Sequence, residues 1–184
     1  MNQLDLMQKF LLALPQVRDW IEQTLERHRP NATPVISFAF PRLSSVYPHD
    51  LLARAKAVVV PGKVPFPPLS RLGLPEFSEL ENMQTTGITF NDTFFVHHRH
   101  QSESLHFHEL VHVIQWEILG VDNFLIAYGA GILQFGYRDS PMEKMAYSLQ
   151  DRFDSGSLSM DTVDIVRQQT DAIWRSVSDF ISTG

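Results

Sequence analysis

The chain has 184 residues, 43% of them apolar and 20% charged, with a formal net charge of −6; this is the composition of a soluble globular domain rather than of a disordered or fibrous chain. The acidic balance argues against the basic face that neutralises phosphates, so no nucleic-acid partner is expected. Cysteine is absent, which removes disulfides, thiolate metal ligands and a cysteine nucleophile together, and leaves His, Asp and Glu to hold any metal.

The start, Met1 to Asp5, lacks the basic residues and continuous apolar run of a signal peptide. Leu4, Met7, Leu11, Leu14, Val17, Ile21 and Leu25 recur at steps of three and four, which predicts a helix over 4–28. Pro15 is expected to kink or divide it, and Pro30 to end it. Residues 34–40 (PVISFAF) read as a strand, 49–56 as a short helix, and 57–60 (AVVV) as a buried strand. The proline-rich stretch 61–75 is a connection, because proline cannot feed a central ladder; it is also a candidate lid. Residues 87–90 and 93–96 then form two strands around an Asn91-Asp92 turn.

From about Ser104 the pattern turns helical: 105–119 stopped at Gly120, 123–135, a third helix from Ser140-Pro141 to about Phe153, and a last one with Val163, Val166, Thr170, Ile173, Val177 and Phe180 on one face. The most apolar stretch, 124–137, is interrupted by Gly129, Gly131, Gln134 and Gly136 and is too short to span a bilayer. The expectation is a single α+β domain over 1–184, with a helical segment 1–30, a strand-rich part 31–96 and a helical part 104–183, located in the cytoplasm without membrane association.

The chemistry is concentrated in His108-Glu109-Leu110-Val111-His112. Four residues apart on a helix, the two histidines share a face one turn apart and can reach one ion. Glu109 is offset around the helix, where its carboxylate can reach a water on the metal without displacing a ligand. Zinc lowers the pKa of such a water, and the carboxylate takes its proton and later delivers it to a leaving amine. The flanking residues Leu105, Phe107, Leu110, Val111, Val113 and Ile114 are apolar, so the motif belongs to a buried helix whose polar groups need partners.

A catalytic zinc site needs a third protein ligand. A third histidine six residues after the second is excluded, since Ile118 stands there. Glu143 is the leading candidate and Asp139 its best rival; Glu117, Asp122, Asp151 and Asp154 are weaker. A competing role exists for Glu143: with Ser140 as N-cap and Pro141 at the first helical position, it would complete a capping box.

The run 108–116 (HELVHVIQW), followed by 137–147 (YRDSPMEKMAY), resembles the small bacterial zincin-like metallopeptidases of the gluzincin type. Their pattern is HExxH and then a glutamate ligand in a helix reading NP-x-E-x-x-A-Y, with Ser140 here replacing the asparagine. The resemblance covers roughly 86–150. It implies His108, His112 and Glu143 as zinc ligands and Glu109 as base. It also implies that the strand before the active-site helix, within 87–96, lies at the edge of a small mixed sheet and pairs with an extended peptide. The aspartate found four residues after the ligand glutamate in thermolysin-like enzymes is Tyr147 here, leaving the histidine buttress unassigned.

Tyr137 and Tyr147 are candidate donors to a developing oxyanion, although each also reads as a core tyrosine. His97, His98 and His100 stand in the loop before the helix; one of them, or Arg99, is a candidate to stabilise the oxyanion or bind a second metal, and by default they are solvated loop residues. His106, two residues from His108, faces away from the metal. The function expected from the chain is zinc-dependent hydrolysis of a peptide or protein. The alternatives are a zinc-stabilised binding domain without turnover, in which Glu109 would have no task, and a metal-dependent amidase acting on a non-peptide substrate.

Overall fold

A computed structural model describes the backbone of residues 3–183 and the side chains of residues 5–179. The first helix, α1 (Gln3–His28), runs through Pro15 without division. The proline ring is exposed, and Leu11, whose carbonyl loses its hydrogen bond there, is only half-buried beside the exposed Leu12, which puts that carbonyl within reach of water. Leu4 and Phe180, expected on apolar helix faces, lie outside the described side chains, as Met1 and Asn2 lie outside the described backbone.

The strand expected over 34–40 is not formed. Only Thr33–Pro34 (β1) pairs with the sheet. Val35–Phe38 wind into a 3-10 turn that ends at Ala39 in the left-handed region, φ 54°. The alternating Phe38 and Phe40 do not line a sheet face; their rings stack on each other 5.8 Å apart and both meet the ring of His106. One short helix that the periodicity does not reveal follows the same logic of local closure: α2 (Pro41–Val46) opens with proline, and its first amides, at Arg42 and Leu43, donate to Glu103 Oε1 at 2.7 and 2.9 Å. Next comes α3 (His49–Arg54), where a short helix is expected.

The sheet contains β1, β2 (Lys56–Val60), β3 (Gly87–Phe90) and β4 (Thr93–His97) in the order β1-β2-β4-β3. β2 and β4 are parallel and the other two pairs antiparallel. The β3–β4 hairpin turns at Asn91, φ 58°, a conformation asparagine tolerates. β4, the strand next to the site helix in sequence, is central rather than at the edge; the edge position belongs to β3. As a central strand β4 is covered on both faces, and its period of two divides its aromatics. Phe94 and Val96 pack with Phe107, Leu110 and Val111, while Phe95 joins Val58, Val60, Val17 and Ile21 on the other face. Phe94 and Phe95 are both fully buried, each worth about 1.5–3 kcal/mol of apolar transfer.

Between β2 and β3 the chain wraps over the sheet. Its one helix, α4 (Ser78–Asn82), carries Glu81, which accepts from Ser70 Oγ at 2.7 Å, while Lys63 donates to the Glu81 carbonyl. Lys9 of α1 pairs with Glu76 at 2.7 Å. Proline thus shapes the connection, and one carboxylate closes it.

The helix that carries the motif, α5 (Glu103–Phe135), begins at Ser102, whose hydroxyl accepts from Leu105 N at 3.1 Å. Gly120 breaks it, at φ 68° and ψ 177°. The second half continues at once, without the gap expected before Asn123. By length and composition alone α5 suffices to cross a membrane, and one-third of its most apolar window is buried. Its first half, from His106 to Trp116, is wholly buried, which accounts for the apolarity there. Two further helices, α6 (Pro141–Asp154) and α7 (Thr162–Thr183), pack against α5. The architecture is α+β, a small mixed sheet within a larger set of helices.

Candidate metal centre

His108 and His112 leave α5 from adjacent turns of one face, and Glu143 meets them from the first turn of α6. Ala146, one turn on from Glu143, is fully buried and its small side chain allows the close approach of the two helices. The Nε2 atoms of the histidines are 3.1 Å apart. Glu143 Oε1 is 3.4 Å from His112 Nε2, and its Oε2 3.5 Å from His108 Nε2. Ligand atoms held at 2.0–2.1 Å around a tetrahedral ion stand about 3.3 Å apart, so the three donors have the spacing one metal ion requires. Glu143 Oε2 is buried without a hydrogen-bond partner, a cost that a cation would remove. Among the described residues this is the one group of three whose ligand atoms converge.

The competition for Glu143 is resolved in favour of the histidines. Ser140 makes no side-chain cap on α6 and donates its hydroxyl instead to Tyr137 O at 2.8 Å. Asp139 is exposed. Glu117 is bound to Arg54 and Asp122 to Arg18 at the surface.

The outer nitrogens of the histidines are also held. His112 Nδ1 donates to Gln115 Oε1 at 2.8 Å, and His108 Nδ1 to Gln150 Oε1 at 3.1 Å. Gln115 is fully buried and donates onward to Met142 O. Gln150 donates to Ser104 Oγ, which donates to Asp154 Oδ2. Two amides therefore orient the imidazoles so that Nε2 faces the centre. The buttress sought as a carboxylate is an amide on each side. Tyr128, from the second half of α5, donates to Glu143 Oε1 at 2.5 Å. These residues carry no motif; the step of three from His112 to Gln115 is the only sequence signal that points to one of them.

Glu109 projects towards β3, where Thr89 Oγ1 donates to its Oε2 at 2.6 Å. A β carbon at Gly87 would collide with its carboxylate. Burial pushes the Glu109 carboxyl above the usual range, partly offset by the two histidines and the Thr89 bond. For Glu143, burial acts in the same direction, but His112 and His108 more than reverse it and hold the carboxyl well below its usual value. Burial disfavours a charged His112, yet the carboxylate of Glu143 beside it prevails and keeps it at about 9. The four side chains are 2–5% exposed.

Tyr137 lines the same cavity as these residues. Burial and the nearby Glu143 raise its phenol, so it is a neutral donor. Tyr147 is half-buried, with its ring 4.6 Å from that of His108 and under the guanidinium of Arg138. His97, His98 and His100 gather their rings at the end of β4, and none of them belongs to the convergent group. His106 is fully buried, hydrogen-bonded through Nδ1 to Ser102 O at 2.9 Å and packed among Phe38, Phe40 and Phe94.

No protein-family model, curated protein or solved structure matches this chain. The centre is defined by its own residues: a buried His-His-Glu group suited to a metal ion, with a second carboxylate beside it.

Proposed function

We propose that the protein is a zinc-dependent hydrolase acting on peptide bonds. The observation that carries this reading is Glu109. It lies beside the three ligands, takes no part in their convergence, is anchored by Thr89, and is buried in the cavity that the ligands line. A group that merely completed a structural metal site would have no need of that carboxylate. The donor set of two imidazoles and a carboxylate suits zinc and leaves one coordination position for water or substrate. A bound zinc would supply a Lewis acid that polarises the scissile carbonyl and acidifies water.

The protein's own groups have separable tasks. Glu109, with its affinity for protons raised by burial, accepts the proton of the attacking water and returns it to the leaving nitrogen. Thr89 holds one Glu109 oxygen and leaves the other free for that transfer. Tyr137, neutral and lining the cavity, is the candidate donor to the oxyanion. Gln115, Gln150 and Tyr128 keep the ligands in place. Tyr147 fits a supporting contact against His108 better than a donor role.

A second reading is favoured by one observation, the 2–5% exposure of the four side chains: a metal that stabilises the fold without turnover. One experiment separates the two. Purified protein is assayed for metal content and for cleavage of a mixed peptide library, alongside Glu109→Gln. Stoichiometric zinc in both proteins, with cleavage by the parent alone, is expected. Zinc in both without cleavage in either would establish the stabilising role, and no zinc in the parent would overturn both readings.

A further inference from the structure

Three histidines outside the metal centre share one reverse turn at the end of β4. The turn holds His97, His98 and His100 and is closed by the His100 amide, which donates to His97 O at 2.8 Å. It is tied down on both sides: the His98 amide donates to Val60 O and the His97 amide to Thr86 O, each at 2.9 Å. Val60 precedes the 61–86 connection and Thr86 ends it. That connection, through Phe66 and Leu80, and α1, through Phe10 and Ile21, wall the cavity that the His-His-Glu centre lines. None of the three turn histidines lines that cavity, so they form a separate cluster on a fixed backbone.

The ring centres lie 4.5 Å apart for His97 and His98, and 5.6 Å apart for His97 and His100. Two imidazoles bound to one ion at 2.0–2.1 Å place their ring centres about 4.5–5.3 Å apart. The pair in the buried centre, His108 and His112, stands at 4.9 Å. The histidine–carboxylate pairs among the described residues belong to His108 and His112, so no carboxylate claims the turn histidines. Partial burial, and then the neighbouring His98, His100 and Arg99, push His97 below the usual histidine value, which keeps it in the neutral form that ligates. The nitrogens of the three rings do not converge as those of the His-His-Glu group do. His98 and His100 are exposed, and turning them between staggered rotamers unpacks nothing.

We propose that the 97–100 turn is a second metal site, which takes zinc or copper(II) through the imidazoles of His97, His98 and His100 and leaves the remaining position to water. Imidazole suits these ions, whereas magnesium and calcium need the oxygen ligands that the cluster lacks. His97 offers Nδ1, which now accepts a long bond of 3.2 Å from the exposed Arg99 amide; water can take over that amide. Exposure makes this site weaker than the buried centre and its occupancy reversible. The site stands on the turn alone and does not depend on the hydrolase reading.

The test is a calorimetric titration of metal-free, tag-free protein with zinc, copper(II) and magnesium. Two equivalents of zinc are expected, the buried one the tighter. His98→Gln with His100→Gln, both at exposed positions, should weaken the second equivalent about 100-fold, since one imidazole of three remains, and leave the first unchanged. Copper(II) should bind the turn more tightly than zinc. Imidazole resonances of the parent locate the ion: the second equivalent of zinc should shift those of His97, His98 and His100 and leave His106 unmoved. A single equivalent that the double variant abolishes would support the turn site and defeat the buried centre. A single equivalent that the double variant keeps would overturn the turn site, as would magnesium binding as tightly as zinc. Should the double variant fail to fold, the imidazole resonances of the parent decide, and their failure to move would overturn the proposal.

Discussion

Gly87 and Glu109 share one space: a β carbon at position 87 would lie 2.9 Å from Glu109 Cδ, and closer still to its Oε1. The edge strand β3 thus approaches the carboxylate with its backbone alone, and two residues on Thr89 supplies the hydrogen bond that fixes it. Gly87→Ala should move Glu109 while leaving the three ligands untouched. We expect zinc affinity within a few-fold of the parent, a stability loss of about 1–3 kcal/mol from overpacking, and a fall in hydrolysis of about 100-fold, since the base must lie within hydrogen-bond reach of its proton. Metal titration and peptide cleavage on the same sample test this; an equal loss of both would mean that the strand supports the ligands rather than the base.

Tyr128 reaches the ligand carboxylate from beyond the Gly120 break. Tyr128→Phe keeps the ring stacked on Phe124 and removes only the hydroxyl that donates to Glu143 Oε1. Supporting groups of this kind are worth 10–100-fold in metal affinity, so a loss of about 10-fold is expected. Competition with a zinc chelator measures it, and unchanged affinity would mean that Glu143 is positioned by helix packing alone.

The two glutamines should differ in cost. Gln115 is fully buried and bridges His112 to Met142 O, whereas Gln150 is half-buried and leads through Ser104 to the surface. Gln115→Leu leaves the His112 N–H unanswered in the core, at about 1–3 kcal/mol for an unpaired buried group. Gln150→Leu leaves His108 close to solvent that can replace the amide. Melting temperatures and zinc affinities of the pair should both rank Gln115→Leu as the more damaging; the reverse order would contradict this account.

Proton linkage follows from the same contacts. In metal-free protein His112 is held at about 9, above its unfolded value of about 6.5. Its contribution to stability is complete below the unfolded value and is lost as pH rises through about 9. Glu143 is lowered, so its contribution is present above about 4.3 and is lost as pH falls towards its folded value. Metal-free protein should therefore lose stability between about pH 6.5 and 9. Zinc needs the neutral imidazole, so binding at pH 7.5 should release about one proton. Calorimetry in buffers of different ionisation enthalpy reads the proton, and denaturant titrations at several pH values read the stability. A metal-free protein that gained stability from pH 6.5 to 9 would refute the His112–Glu143 pairing.

Local chemistry was readable along the chain wherever one residue's geometry decides the outcome. The step of four between His108 and His112, the Asn91 turn and the Ser140-Pro141 start of α6 each depend on a few neighbouring residues. The failures have the opposite character. The apolar alternation over 34–40 was satisfied by a 3-10 turn around His106, because period two records which side chains are apolar and not whether another strand is available to pair. Pro15 did not divide α1, because its ring is exposed and the carbonyl it strands is within reach of water.

By itself the sequence determined the metal motif, the buried character of the helix that bears it and the α+β class, since these follow from spacing and hydrophobic period. Tertiary structure alone decided that Glu143 turns to the histidines instead of capping α6, that Gln115, Gln150 and Tyr128 support the ligands, and that α1 and the 61–86 connection wall the cavity. The physical reason is separation. A carboxylate's partner is chosen by the desolvation and charge it meets after packing, and those come from residues dozens of positions away that no local pattern relates.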